Sequence, residues 1–123
     1  MSNEVFVLGV GMTPMKGRWL DATYWKLAQL AAIALLEKMG MAFDLQLVTF
    51  VSFGIYNDMF EGQAIPETTL VGPLGLHLKE VDRISTGGQT GVATLTRVFD
   101  AIASGRHKIG LALGVEKWAL SRK

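Results

Sequence analysis

An α/β fold built on a mainly parallel sheet is what this sequence predicts, and three observations predict it. Short apolar, β-branched runs of strand length alternate with longer segments of helical spacing. The strand-like runs are apolar at consecutive positions, as strands covered on both faces are. Glycine or proline punctuates most of the junctions between them. The resulting order along the 123 residues is βαβαβαβ, which requires crossover connections and lays helices over the faces of the sheet.

The first strand is residues 5–10, Val5-Phe6-Val7-Leu8-Gly9-Val10, closed by Gly11 and Pro14. Residues 22–39 form the first helix. Tyr24, Leu27, Ala28, Ala31, Leu35 and Leu36 recur at helical spacing, Asp21 is placed to cap the start, Lys38 suits the last turn and Gly40 ends it. A second strand fits residues 47–53 and runs into a polar, glycine-punctuated loop over 54–63. Pro66 and Glu67 suit the first turn of a short helix that Gly75 stops. The third strand is residues 81–85, the third helix runs from about Gln89 to Ser104 with Gly105 as its cap, and residues 109–115 make a fourth strand. There is no internal repeat and no low-complexity tract.

Composition removes several classes of function. Half of the residues are hydrophobic and the mean hydropathy is +0.31, enough for a well-buried core. The longest uncharged apolar stretch, residues 27–36, is too short to span a membrane. Twelve basic and eleven acidic residues are interleaved to a net charge of +1, leaving no basic stripe for nucleic acid and no polybasic membrane anchor. There is no cysteine, so disulfides, thiolate metal sites and thiol nucleophiles are excluded. No targeting segment precedes Val5, and the expectation is a soluble cytoplasmic protein. The length suits one domain or part of one, and is short for an enzyme that must enclose a long substrate.

Most local motifs read as structural. Gly9-Val10-Gly11 follows a strand as a dinucleotide fingerprint does, but Pro14 stands at the third glycine position and no helix begins there, so the segment reads as a turn clearing the sheet. Lys16-Gly17-Arg18 lacks the arrangement of a phosphate-cradling loop. His77 and His107 have no carboxylates at metal-ligand spacing and read as solvated loop residues, and no metal site is expected. Asp58 and Glu61, and the Glu116-Lys117 pair ending the last strand, read as solvated charges. Trp19, Trp25, Trp118, Phe43 and Phe60 are scattered and read as core or interface aromatics.

The stretch from Val81 to Leu95 is different, because a strand ends in a glycine-rich turn that opens directly into a helix. Such a turn aims backbone N–H groups and the positive end of a helix dipole at whatever sits on it. The candidate residues are Thr86, Gly87, Gly88, Gln89 and Thr90, preceded by Ser85. Two readings stand side by side: Thr86 or Ser85 caps the helix by accepting its early N–H bonds, or the turn is functional. No histidine or lysine lies near enough in sequence to activate a hydroxyl nucleophile, so no side chain is assigned a catalytic role.

Three stretches together resemble the N-terminal domain of thiolases: residues 5–14; residues 62–76 with Leu70-Val71-Gly72 and Leu74-Gly75-Leu76; and residues 83–117. The most specific part joins the third strand and its turn to Ala101-Ile102-Ala103-Ser104-Gly105 and Leu113-Gly114-Val115-Glu116-Lys117. The resemblance implies a three-layer α-β-α fold of two similar halves, of which residues 1–123 supply an incomplete first half. It places the family's nucleophilic cysteine at Gly88, within Gly88-Gln89-Thr90-Gly91, where Gly91 is kept and the cysteine is absent. Ser85-Thr86-Gly87-Gly88 is similar to the turn of cysteine-free, lipid-transfer-like branches, some of which are retro-aldol lyases working with an OB-fold partner protein.

The resemblance further implies a coenzyme A thioester as the substrate, with no tightly bound cofactor. The reaction is acyl transfer of the acetyl-CoA acetyltransferase type, retro-aldol cleavage, or none at all if the chain is an interaction subunit. It implies pairing through the strand Val81-Asp82-Arg83-Ile84-Ser85, either with a second copy in a homodimer or with a complementing thiolase half. The family's acid–base histidine and second cysteine match no residue of this sequence.

Overall fold

A computed structural model describes residues 2–40, 44–56, 62 and 65–117 of the chain. Among them, three parallel strands form one sheet: β1 (Phe50–Gly54), β2 (Glu80–Ile84) and β3 (Gly110–Gly114), in the order β2-β1-β3. Three helices accompany it, α1 (Tyr24–Met39), α2 (Pro66–Leu74) and α3 (Thr90–Ala103). Phe50 of β1 is in register with Glu80 and Gly110, and Gly54 with Ile84 and Gly114, so the strands start and finish level.

The alternation of side chains along β1 builds the layers. Val51 and Phe53 point to one face, into a core with Tyr24 and Leu27 of α1, Leu70 of α2, and Leu76. Phe50 points to the other, where Val98 and Ala101 of α3 meet it. All five residues of β1 are buried, as expected of a central parallel strand with helices on both sides. The α/β, α-β-α architecture follows from this pattern, and each helix end has a local cause. Thr23, rather than Asp21, caps α1, its hydroxyl accepting the Lys26 N–H at 3.3 Å, and Gly40 closes it at φ 77°. Pro66 opens α2, Gly75 ends it in the left-handed region, and the Tyr24 hydroxyl donates to the Pro66 carbonyl at 3.2 Å, tying α1 to α2.

Two strand expectations are corrected. Residues 47–49 do not extend β1, because Leu45–Leu47 form a 3₁₀ turn whose start is capped by Asp44, accepting the Gln46 N–H at 2.9 Å. Residues 5–10 form no strand, and Phe6, Val7, Leu8 and Val10 are exposed. Both edges of β1 are taken, by β2 and β3, so this apolar run has no ladder beside the central strand. It lies instead on α1. A Cβ at Gly9 would stand 2.6 Å from Met39 Cγ, and one at Gly11 would strike the Leu35 backbone, so the glycines serve close approach to a helix. Among the described residues no helix is long and apolar enough to cross a membrane.

Candidate active-site cleft

The turn leaving β2 is shaped by one glycine and one buried threonine. Gly87 takes φ 66°, a left-handed conformation that other residues adopt at a cost, and Gly87–Gln89 make a single 3₁₀ turn leading straight into α3. The Thr90 side chain is almost fully buried; its hydroxyl donates to the Gly87 carbonyl at 2.6 Å and accepts the Thr86 N–H at 3.0 Å. Thr90 thus folds the turn back onto the first residue of its own helix.

This arrangement replaces the expected capping by Thr86 or Ser85. Thr86, at the cap position of the 3₁₀ turn, makes no side-chain cap bond, and neither does Gln89 at the start of α3. Ser85 instead lies 3.5 Å from the Tyr56 carbonyl, to which its hydroxyl donates. The Thr90 N–H is taken by the Gly87 carbonyl, and no side chain caps the turn or the start of α3. Gly88 sits in this turn with nothing within 4 Å of where a Cβ would stand, and Gly91 is equally open.

Turn and strand ends enclose a cleft of about 630 Å³. Gly87, Gly88, Thr90 and Gly91 line it from the turn; Gly54 and Tyr56 enter from the end of β1; Gly114, Val115 and Glu116 enter from the end of β3. It lies at the carboxyl ends of parallel strands, where open α/β sheets build their sites. Gly54 lets α3 descend onto the sheet, since a Cβ there would collide with the Thr94 hydroxyl, which itself donates to the Thr90 carbonyl at 2.7 Å. Of the five candidate turn residues, Gly87, Gly88 and Thr90 line the cleft, while Thr86 is exposed and donates its backbone N–H to the Thr90 hydroxyl. Gln89 is exposed and does not line the cleft.

The sequence reading missed Glu116. Its carboxylate accepts the Tyr56 N–H and lines the cleft while staying exposed to solvent, as its place after the strand suggests. Lys117, read as solvated, is buried. The usable signal was position: both residues follow the carboxyl end of a strand level with the turn. Arg83, on β2, donates from Nε to the Ile55 carbonyl at 3.0 Å and supports the same end of β1.

His107 also departs from its expected place. Its side chain is only 12% exposed, stacked on Phe50 with ring centroids 5.1 Å apart. One ring nitrogen meets the Thr49 hydroxyl at 2.9 Å and the other meets Glu80 at 2.7 Å, while Arg106 also pairs with Glu80. The His107 hydrogen bond, and after it the Arg106 pairing, hold the Glu80 carboxyl below its ordinary range. This cluster ties together the amino ends of the strands, at the opposite end of the sheet from the cleft. His77 is exposed, and among the described residues no three metal-ligating groups gather. Trp19 packs at the core edge beneath the Lys16 ammonium, 4.1 Å from its ring, and Trp25 is partly exposed. Asp58, Glu61, Phe43, Phe60 and Trp118 lie outside the described residues.

Compared with known families, residues 5–122 match the family model described as "Thiolase, N-terminal domain". The match takes in every strand, every helix and the whole turn between β2 and α3. A search of curated proteins gave no match.

Proposed function

We propose, from the premise that this chain belongs to the thiolase family through its N-terminal domain, that its cleft acts on acyl thioesters of coenzyme A without a nucleophilic side chain. The single observation that carries this reading is the uncapped glycine turn at Gly88, opening on a cleft at the carboxyl ends of the strands. An acyl-enzyme on cysteine is excluded by composition, because the sequence contains none. What the turn offers instead is backbone N–H groups and a helix dipole, suited to a carbonyl oxygen that gains negative charge.

Retro-aldol cleavage of a β-hydroxyacyl thioester fits those means. A base takes the β-hydroxyl proton, the bond between the α and β carbons breaks, and its electron pair passes into the thioester as an enolate whose oxygen the turn would meet. Claisen-type acyl transfer, the acetyl-CoA acetyltransferase reaction, would instead need the missing thiolate. An OB-fold partner protein and a second copy paired along β2 belong to this proposal as its assembly.

A second reading, a non-catalytic interaction subunit, is favoured by a different observation: Val92, Leu95 and Phe99 form an exposed apolar line on α3. An assay of the chain with a β-hydroxyacyl-CoA, and separately with acetoacetyl-CoA plus CoA, separates the two. Aldehyde or ketone release from the first substrate without thiolysis of the second is the expected result. Turnover of neither would leave the interaction reading standing.

A further inference from the structure

The layer between the sheet and α3 holds two oxygen atoms that no protein group satisfies. Ser52, at the centre of β1, is fully buried, and its hydroxyl meets no hydrogen-bond partner. Asp82 of β2 stands beside it in the parallel register, so both side chains leave the same face of the sheet, the face on which Phe50 meets α3. Asp82 is engaged through one oxygen only. Its Oδ2 accepts from Arg97 Nε of α3 at 2.8 Å, while Oδ1 is buried without a partner. The nearest hydroxyl on α3, that of Thr94, already donates to the Thr90 carbonyl at 2.7 Å. Native proteins rarely leave buried polar atoms in this condition, because each forfeits its hydration for nothing.

Geometry decides what can join the pair. Adjacent strands lie about 4.8 Å apart, too far for a direct hydrogen bond between side chains standing straight off the sheet, and within the roughly 5.5 Å that one water spans with two hydrogen bonds. The chemistry is matched as well. Ser52 can donate, and a carboxylate oxygen can only accept, so a water between them accepts from the first and donates to the second. A cation is not called for, since Arg97 already balances the Asp82 charge. We propose that the Ser52 hydroxyl and Asp82 Oδ1 bind one buried water molecule, which joins β1 to β2 beneath α3. The partly exposed Asp82 and Arg97 side chains give it a way in. Gly54, two residues further along the same face of β1, lines the cleft, so the bridge lies about 7 Å below the cleft floor. There it braces the ion pair that ties α3 to β2, and it does so whatever ligand the cleft takes.

Oxygen-17 magnetic relaxation dispersion counts waters that stay bound while a protein tumbles. The 123-residue chain should show such a water, and its Ser52→Val variant, whose added methyl groups fill the space beside Asp82, should show about one fewer. No long-lived water in the parent chain, or equal numbers in the two proteins, overturns the proposal. Ser52→Ala, a smaller change, reads the same site through urea unfolding. If a water satisfies the hydroxyl, removing it lowers the midpoint; an equal or higher midpoint is the mark of an orphaned hydroxyl and also overturns the proposal.

Discussion

At the residue scale, the clearest chemistry lies in two carboxylates at opposite ends of the sheet. Glu80 joins His107 and Arg106 at the amino ends of the strands, and its carboxyl is held below the ordinary glutamate value of 4.5, first by the His107 hydrogen bond. A lowered value in the folded state means that Glu80 stabilises the fold above its unfolded value and loses that contribution as pH falls through the lowered one. Urea unfolding measured from pH 7 to pH 3 should therefore show the parent more stable than Glu80→Gln at neutral pH, with the gap closing below about pH 4.5. A gap of the same size at pH 3 would show that the cluster does not act through the charge of Glu80. His107 was illegible in sequence, since a histidine after a helix reads as a loop residue. Its burial comes from Phe50, 57 positions away and brought under the ring only by sheet pairing. Gly88 was legible, because its neighbours in sequence form the whole of its turn.

At the element scale, the fold rests on how α3 sits over the sheet. The face of β1 and β3 toward α3 is made small at both ends: Gly54 faces Thr94 beside the cleft, and at the amino end of β3 a Cβ at Gly110 would stand 2.6 Å from Val98 Cγ1. Adding a methyl group at Gly54 should push α3 off the strand end and cost about 1–3 kcal/mol of stability, read as a lower urea midpoint. Gly91, with open space around it inside α3, serves as the control, and Gly91→Ala should be neutral or stabilising. Equal effects at the two sites would show that contact with Thr94 does not hold α3 in place. The helices themselves were legible to within a turn, because the periodicity of α1 and the proline and glycine bounding α2 are local signals. The strand in residues 5–10 was misread for a reason of the same kind. An apolar β-branched run states that it should be buried, and not which backbone it will pair with.

At the scale of the whole molecule, the order β2-β1-β3 leaves the outer edge of β2 without a strand among the described residues. A parallel sheet exposing such an edge is a template for another chain, and the proposed pairing of β2 with a second copy would close it. Ile84→Lys should then weaken self-association, read as a shift toward monomer in analytical ultracentrifugation, while an unchanged sedimentation profile would exclude β2 as the contact. The apolar line on α3 and the exposed run in residues 5–10 are further surfaces of this kind, on the helix layer and beside α1.

Taken alone, the sequence determined the α/β class, the three helices, the absence of a thiol and the glycine turn that replaces one, because each depends on residues adjacent in the chain. The tertiary structure decided which strands are neighbours, that Glu116 closes a cleft with that turn, that His107 lies buried at the far end of the sheet, and that residues 5–10 stay outside the ladder. The physical reason is common to all four. Burial, charge proximity and backbone pairing depend on distances between segments far apart in sequence, and only the competition among all strands for the same few edges fixes those distances.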